Sequence, residues 1–451
     1  MTKTERSRRP PIQLPLALAT TVAGAYLGLA DYVGLPTIHP PEAVLAVVFG
    51  AAIVGAAFIL SWAAEAAQVD ISAGLALAIL ALLAVLPEYA VDFVFTYNAG
   101  QIYADQGTCS GGGGANPCSL ALANMTGANR VLVGVGWPLV VLVASWAAIR
   151  SRRQGDGDSA SASPGEVRMA PPLSAEIVFL GIATLYSLTL PLKDSLTMLD
   201  AGVLIVIFAL YAWRLAQAPA REPDLLGVSK WVGEASTRQR RSLVGTMFAV
   251  AALVILLTAE HFAEALVNTG SELGLDQFLL VQWVAPLASE SPELIVACLY
   301  AWRLKASNAL GTLLSSKVNQ WTLLVGTIPI VFALSAGTTD GLPLDTEQRF
   351  ELLLTGAQSL FAVAILMDLS LTVYGSVGLL GLFLVQFVSS ITMSADVNQT
   401  VTIVLSAVYG LLAVLAIARN WRGTLRTSKN GLWTSFATLE RAEEKQAAEH
   451  T

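Results

Sequence analysis

The chain has 451 residues, 55% of them hydrophobic and only 13% charged, with a mean hydropathy of +0.63. Soluble domains carry about 25% charged residues, so the composition excludes an ordinary soluble fold and points into a bilayer. The formal net charge of -7 says little about partners, because in such a chain topology places the charges.

The opening MTKTERSRRPP is basic and polar, and an apolar run follows from Ile12 to Val33. Ala23-Gly24-Ala25 resembles a signal cleavage site, but the run continues past it to spanning length, which favours an uncleaved helix. Further spans are predicted at 43–67, 71–98, 120–149, 174–192 and 197–215, then at 243–268, 277–302, 307–335, 347–367, 370–393 and 399–419. An all-α polytopic membrane protein of about twelve helices follows, with both termini on one side. Arg150, Arg152, Arg153, Arg221, Lys230, Arg238, Arg240, Arg241, Arg303, Lys305, Arg419, Arg422, Arg426 and Lys429 all fall on that side, which predicts cytoplasmic termini in a bacterial inner membrane. Lys193 and Arg349 are the exceptions.

Between the spans, 99–119 holds Cys109 and Cys118 in a polar, Gly-rich loop. They can pair if the loop faces an oxidising compartment, or be unrelated; Cys298 sits in an apolar run and reads as core. Gln154 to Pro172 and the charged stretch Ala216 to Ser242 read as linkers, and the tail from Ser435 as a short solvated helix or disordered. The Gly111 to Gly114 run lacks the Lys-Ser/Thr and the strand of a phosphate loop. No nucleophile-base pair, nucleotide fingerprint or His/Cys metal cluster occurs, so neither an enzyme nor a resident cofactor is expected. Nothing points to nucleic acid or a protein partner; the expected partners are lipid and inorganic cations.

Two short stretches repeat. Leu86-Pro87-Glu88-Tyr89 in the first half matches Ser291-Pro292-Glu293-Leu294 in the second. Trp62-Ala63-Ala64-Glu65-Ala66 precedes the first, and His261-Phe262-Ala263-Glu264-Ala265 precedes the second. Leu122 to Asn129 follows the first as Leu310 to Lys317 follows the second. A carboxylate in hydrocarbon costs several kcal/mol unless something compensates it, so carrying that cost twice suggests a cation site. The predicted topology runs the Glu88 helix outward and the Glu293 helix inward, making the repeats inverted, with a site at their interface near the midplane. The predicted division is 1–42 (tail and extra helix), 43–215 (first repeat), 216–242 (linker), 243–393 (second repeat) and 394–451 (extra helix and tail).

At these residues the chain resembles the calcium/cation antiporter superfamily, the sodium/calcium exchangers and their relatives. The family pattern G-T-S-x-P-E corresponds to Leu83 to Glu88 and Ala288 to Glu293, and G-N-x-x-G-S-N to Ala123 to Asn129 and Gly311 to Lys317. The resemblance implies Glu88 and Glu293 as cation ligands, with Asn129 and hydroxyls such as Ser289 completing the site, and antiport by alternating access. Several oxygens suit a hard cation such as calcium. Ala84, Val85 and Ala128 stand where the family has hydroxyls, which weakens sodium binding; Glu290 adds a carboxylate, and Lys317 replaces Asn or Asp. Asp92 lies one turn from Glu88 and can share its face. Lys317 is expected to pair with Glu290 or Glu293, and Arg130 with Glu88 or Asp92. Proton-coupled or monovalent exchange is the rival within transport, and a non-transporting scaffold or sensor the rival outside it.

Overall fold

In the computed structural model, which describes residues 10–36, 40–70, 86–109, 116–154, 164–218, 225–274 and 276–449, helices make up most of the described residues. α1 (Gln13–Val33), α2 (Glu42–Ala67) and α3 (Leu86–Gln106) come first. α4 (Pro117–Val131) passes through a π turn, Leu132–Gly136, into α5 (Trp137–Gln154). α6 (Ser174–Ser187) and α7 (Met198–Leu215) close the first half, and the short α8 (Gly227–Gly233) lies in the linker. The second half opens with α9 (Thr237–Leu273) and α10 (Gln277–Trp302). α11 (Ala306–Asn319) then passes through a π turn, Gln320–Leu324, into α12 (Val325–Ala336). α13 (Thr346–Leu366), α14 (Val373–Thr392), α15 (Ala395–Arg419), α16 (Trp421–Leu432) and α17 (Phe436–Glu449) complete the chain.

Ten helical segments among the described residues are long and apolar enough to cross a membrane. The Pro-Glu helices α3 and α10, 21 and 26 residues long, account for the other two expected crossings; their carboxylates dilute the apolar signal. The protein is an all-α, polytopic, integral membrane protein. Ala84, Val85 and the Gly111 to Gly114 run lie outside the described residues.

Two small antiparallel sheets record how the halves relate. β1 (Glu166–Arg168) pairs with β4 (Ser370–Thr372), and β2 (Ser195–Leu196) with β3 (Leu342–Pro343). β1 and β3 precede α6 and α13, whereas β2 and β4 follow them. Exchanging the halves therefore exchanges the sheets, which helix order puts at opposite ends of the bundle, as inverted repeats require. The paired π turns obey the same exchange.

α2 and α9 pack along one another, and α1 lies against both. Gly28 sets that approach: a Cβ there would lie 2.0 Å from the Leu257 carbonyl oxygen of α9. α15 packs on α13 and α14.

Two expectations change and two gain detail. The charged linker is partly helical where described: Ser229 of α8 donates to Glu65, and α9 already begins at Thr237, inside the stretch read as linker. The tail is docked, not solvated: Phe436 and Leu439 are buried, and Arg214 donates to the Gly431 carbonyl at 2.9 Å and stacks 4.4 Å from the Phe436 ring. Lys193 pairs with Asp200 and Arg349 with Asp194, so the two misplaced cations sit against carboxylates. Cys109 and Cys118 form a disulfide, Cα atoms 5.8 Å apart, and Cys298 is free.

Candidate functional site

The site begins with a close crossing. Gly127 of α4 lies so near α10 that a Cβ would fall 1.7 Å from the Gln282 carbonyl oxygen, so only glycine fits. That contact brings the third segment of the first half against the Pro-Glu helix of the second. The π turn at Gln320–Leu324 then adds a residue to one turn of the following segment and re-aims its side chains, a device common at functional sites.

Three carboxyls meet there. Glu88, Glu290 and Glu293 are 2%, 0% and 7% exposed. Gln320 Nε2 donates to both oxygens of Glu88, at 3.1 and 3.2 Å, and also to Glu290 Oε1. The Glu290 carboxyl also contacts those of Glu88 and Glu293. Ser316 Oγ donates to Glu293 Oε2 at 2.7 Å. Glu290 Oε2 and Gln320 Oε1 are buried with no hydrogen-bond partner among the described residues. Lys317 Nζ donates to the Asn129 backbone carbonyl at 2.7 Å and lies in the field of Glu290 and Glu88. Carboxylates packed so closely away from water need positive charge beside them, supplied by a cation or by protons. Their oxygens, with Gln320 Oε1, form a donor set suited to a hard cation.

The other expected residues fall around this cluster. Asp92 is buried one turn further along α3, held by Asn124 Nδ2 at 2.7 Å, and does not join the three carboxyls through Gln320. Asn129 turns its Nδ2 to the Met125 carbonyl at 2.9 Å and keeps a buried, unpartnered Oδ1 beside the Lys317 contact. Ser289 donates back along α10 to the Ala285 and Pro286 carbonyls, so its hydroxyl is spent on its own helix backbone. Lys317 meets a backbone carbonyl where pairing with Glu290 or Glu293 was expected.

Arg130 departs further from expectation. It pairs with Glu351 of α13 at 2.6 Å and stacks 5.0 Å from the Trp283 ring, while Gln282 Nε2 donates to the same Glu351 oxygen at 3.0 Å. Arg130 follows Asn129 by about 100° around α4, and that rotation takes it off the Glu88 face toward α13. Glu351 was missed because its partner lies more than two hundred residues away in sequence. Gln320 and the role of Ser316 were also missed, although Gln320 lies three residues after Lys317, on the same side of its helix.

The sodium/calcium exchanger protein family model matches residues 42–216 and 243–418, one block in each half. A crystal structure of the H+/Ca2+ exchanger CAX is 38% identical, covers 95% of this chain and 98% of its own, and superposes with a TM-score of 0.77. Native YfkE, 15% identical over 84% of this chain and 100% of its own, has a TM-score of 0.56 and shares the fold. No curated protein sequence matches. Two family blocks laid over two inverted halves, and a relative aligned over nearly the full length, place the chain in the sodium/calcium exchanger protein family.

Proposed function

We propose that this protein is a proton-coupled cation antiporter that carries calcium, with Glu88, Glu290 and Glu293 as the exchange site. The observation that carries the reading is that Glu88 from one half and Glu290 from the other share the Gln320 amide. The 38% identical relative bears the name H+/Ca2+ exchanger, which supports the same pairing of ions. A bare, ionised cluster is costly to carry through hydrocarbon, so the site moves when cation or protons neutralise it. Obligatory exchange follows from that restriction. The absence of a hydroxyl at the buried Ala128 removes an oxygen a sodium site would use, which favours protons as the counter-ion.

Alternating access would come from α2 and α9, the long packed pair flanking the core, moving against the helices that hold the carboxyls. The basic segments support a topology with the termini in the cytoplasm and the disulfide outside.

The test is flux in proteoliposomes. An imposed proton gradient should drive calcium movement against it, and Glu88→Gln and Glu293→Gln should each lower that flux at least tenfold. Lack of coupling between any proton gradient and cation movement would refute the reading.

One observation favours a second reading, monovalent exchange: Lys317 is buried beside the carboxyls, and when protonated it offsets part of the negative charge a divalent ion needs. In the same vesicles sodium or potassium would then replace calcium as the coupled ion. Lys317→Asn should shift preference toward the divalent ion, seen as a lower half-saturating calcium concentration.

A further inference from the structure

The last apolar span, α15, ends at Arg419, and Asn420 leaves the helical region with φ −119 and ψ 40. α16 therefore turns away where the chain leaves the hydrocarbon. At about 100° per residue its side chains fall into three sectors. Thr427 and Gly431 face the protein: Thr427 Oγ1 donates to the Met367 carbonyl at 2.7 Å, and the Gly431 carbonyl receives Arg214. Trp421 and Leu425 share a second sector and are 58% and 51% exposed; Trp433, just beyond the helix, is 77% exposed. Arg422, Arg426 and Lys429 fill the third sector, beside the aromatic one.

α16 contains no acidic residue, and none of its three cations forms an ion pair among the described residues. Arg422 and Arg426 also border a groove of about 1170 Å3 whose wall includes Arg168. The groove's three acids are already engaged, Glu166 by Arg168 at 3.4 Å, Asp368 by the Ser370 backbone, and Glu443 by another contact. Unpaired cations beside exposed indoles, at the end of a span, match the chemistry of an anionic membrane surface: phosphates for the cations, the acyl boundary for the rings.

We propose that the exposed face of α16 binds anionic phospholipid, phosphates seated on Arg422, Arg426 and Lys429 and Trp421 inserted at the headgroup level. Because the opposite face is fastened to α7 and to the end of α13, the lipid clamps the C-terminal segment onto the core. This stands independently of which ion is exchanged.

The test uses the full chain reconstituted with brominated phosphatidylglycerol or brominated phosphatidylcholine at equal mole fraction, with quenching of tryptophan fluorescence as the readout. The phosphatidylglycerol form should quench more strongly, and the excess should shrink in Trp421→Phe and vanish in Trp421→Phe/Trp433→Phe. In Arg422→Gln/Arg426→Gln/Lys429→Gln the preference should fall, by about fivefold in partitioning per cation removed. In the unaltered chain it should shrink as salt rises from 0.05 to about 0.5 M, a readout independent of how the variants fold. Equal quenching by the two lipids, an excess indifferent to salt, or Trp421 shielded from both lipids by a second copy or another protein would overturn the proposal.

Discussion

At the scale of single residues, Gln320 connects the halves. Its amide is shared by Glu88 and Glu290, and hydrogen bonds to charged groups contribute about 1.5–3 kcal/mol. Gln320→Leu should therefore lower exchange at least tenfold in proteoliposomes normalised to folded protein, a loss beyond what its lowered thermal midpoint accounts for. Arg130 makes the opposite prediction. It is 1% exposed and paired with Glu351, so Arg130→Met leaves a buried carboxylate without its cation, a change that costs about 3–5 kcal/mol. Thermal denaturation in detergent should show a large drop in midpoint, partly restored in Arg130→Met/Glu351→Gln. Glu88 and Glu293 were legible in the sequence because a carboxylate in an apolar run is conspicuous by itself. Gln320 and Glu351 were not, because a neutral amide costs little in a helix and an ion pair across α4 and α13 leaves no mark in local spacing.

Among elements, the α2–α9 pair carries the clearest prediction. Beyond the end of α2, Asp70 accepts two hydrogen bonds from Arg240 at the start of α9, both at 2.7 Å, and Arg240 also donates to the Gly233 and Ala235 carbonyls of the linker. The Arg240 guanidinium holds the Asp70 carboxyl below its ordinary range, with Arg241 adding to the effect. A carboxyl with a lowered folded-state value stabilises the fold above its unfolded value, about 3.9, and that contribution is lost as pH falls through the folded value. Relative to the free-peptide rate at each pH, amide exchange in 227–243 should therefore accelerate below about pH 4 in the unaltered protein. In Asp70→Asn it should be fast already at neutral pH; equal protection in both would show that the ion pair does not hold this junction. The sequence marked 216–242 as a linker from its charge alone, and charge does not tell a helix fastened by Ser229 and Arg240 from a loose connection.

For the whole molecule, the disulfide gives a measurable statement about which end faces an oxidising compartment. The chain has three cysteines, and Cys109 and Cys118 are paired. Unfolded in denaturant without reductant, the purified protein should expose one free thiol, that of Cys298, and with reductant all three, measured by thiol titration. Three free thiols before reduction would show that the two cysteines do not pair. Hydropathy, the Pro-Glu repeat and the asymmetry of Arg and Lys determined by themselves that the chain is a helical membrane protein of two repeated halves. These signals survive in one dimension because a bilayer demands long apolar runs and makes each buried charge conspicuous. Only the tertiary structure decided which charges meet: Arg130 with Glu351 and away from Glu88, Lys317 with a backbone carbonyl, and Glu88 with Glu290 through Gln320. Those meetings depend on how far each helix is rotated when it packs, and a close crossing such as Gly127 on Gln282, or a single π turn, changes that rotation without altering the apolar pattern.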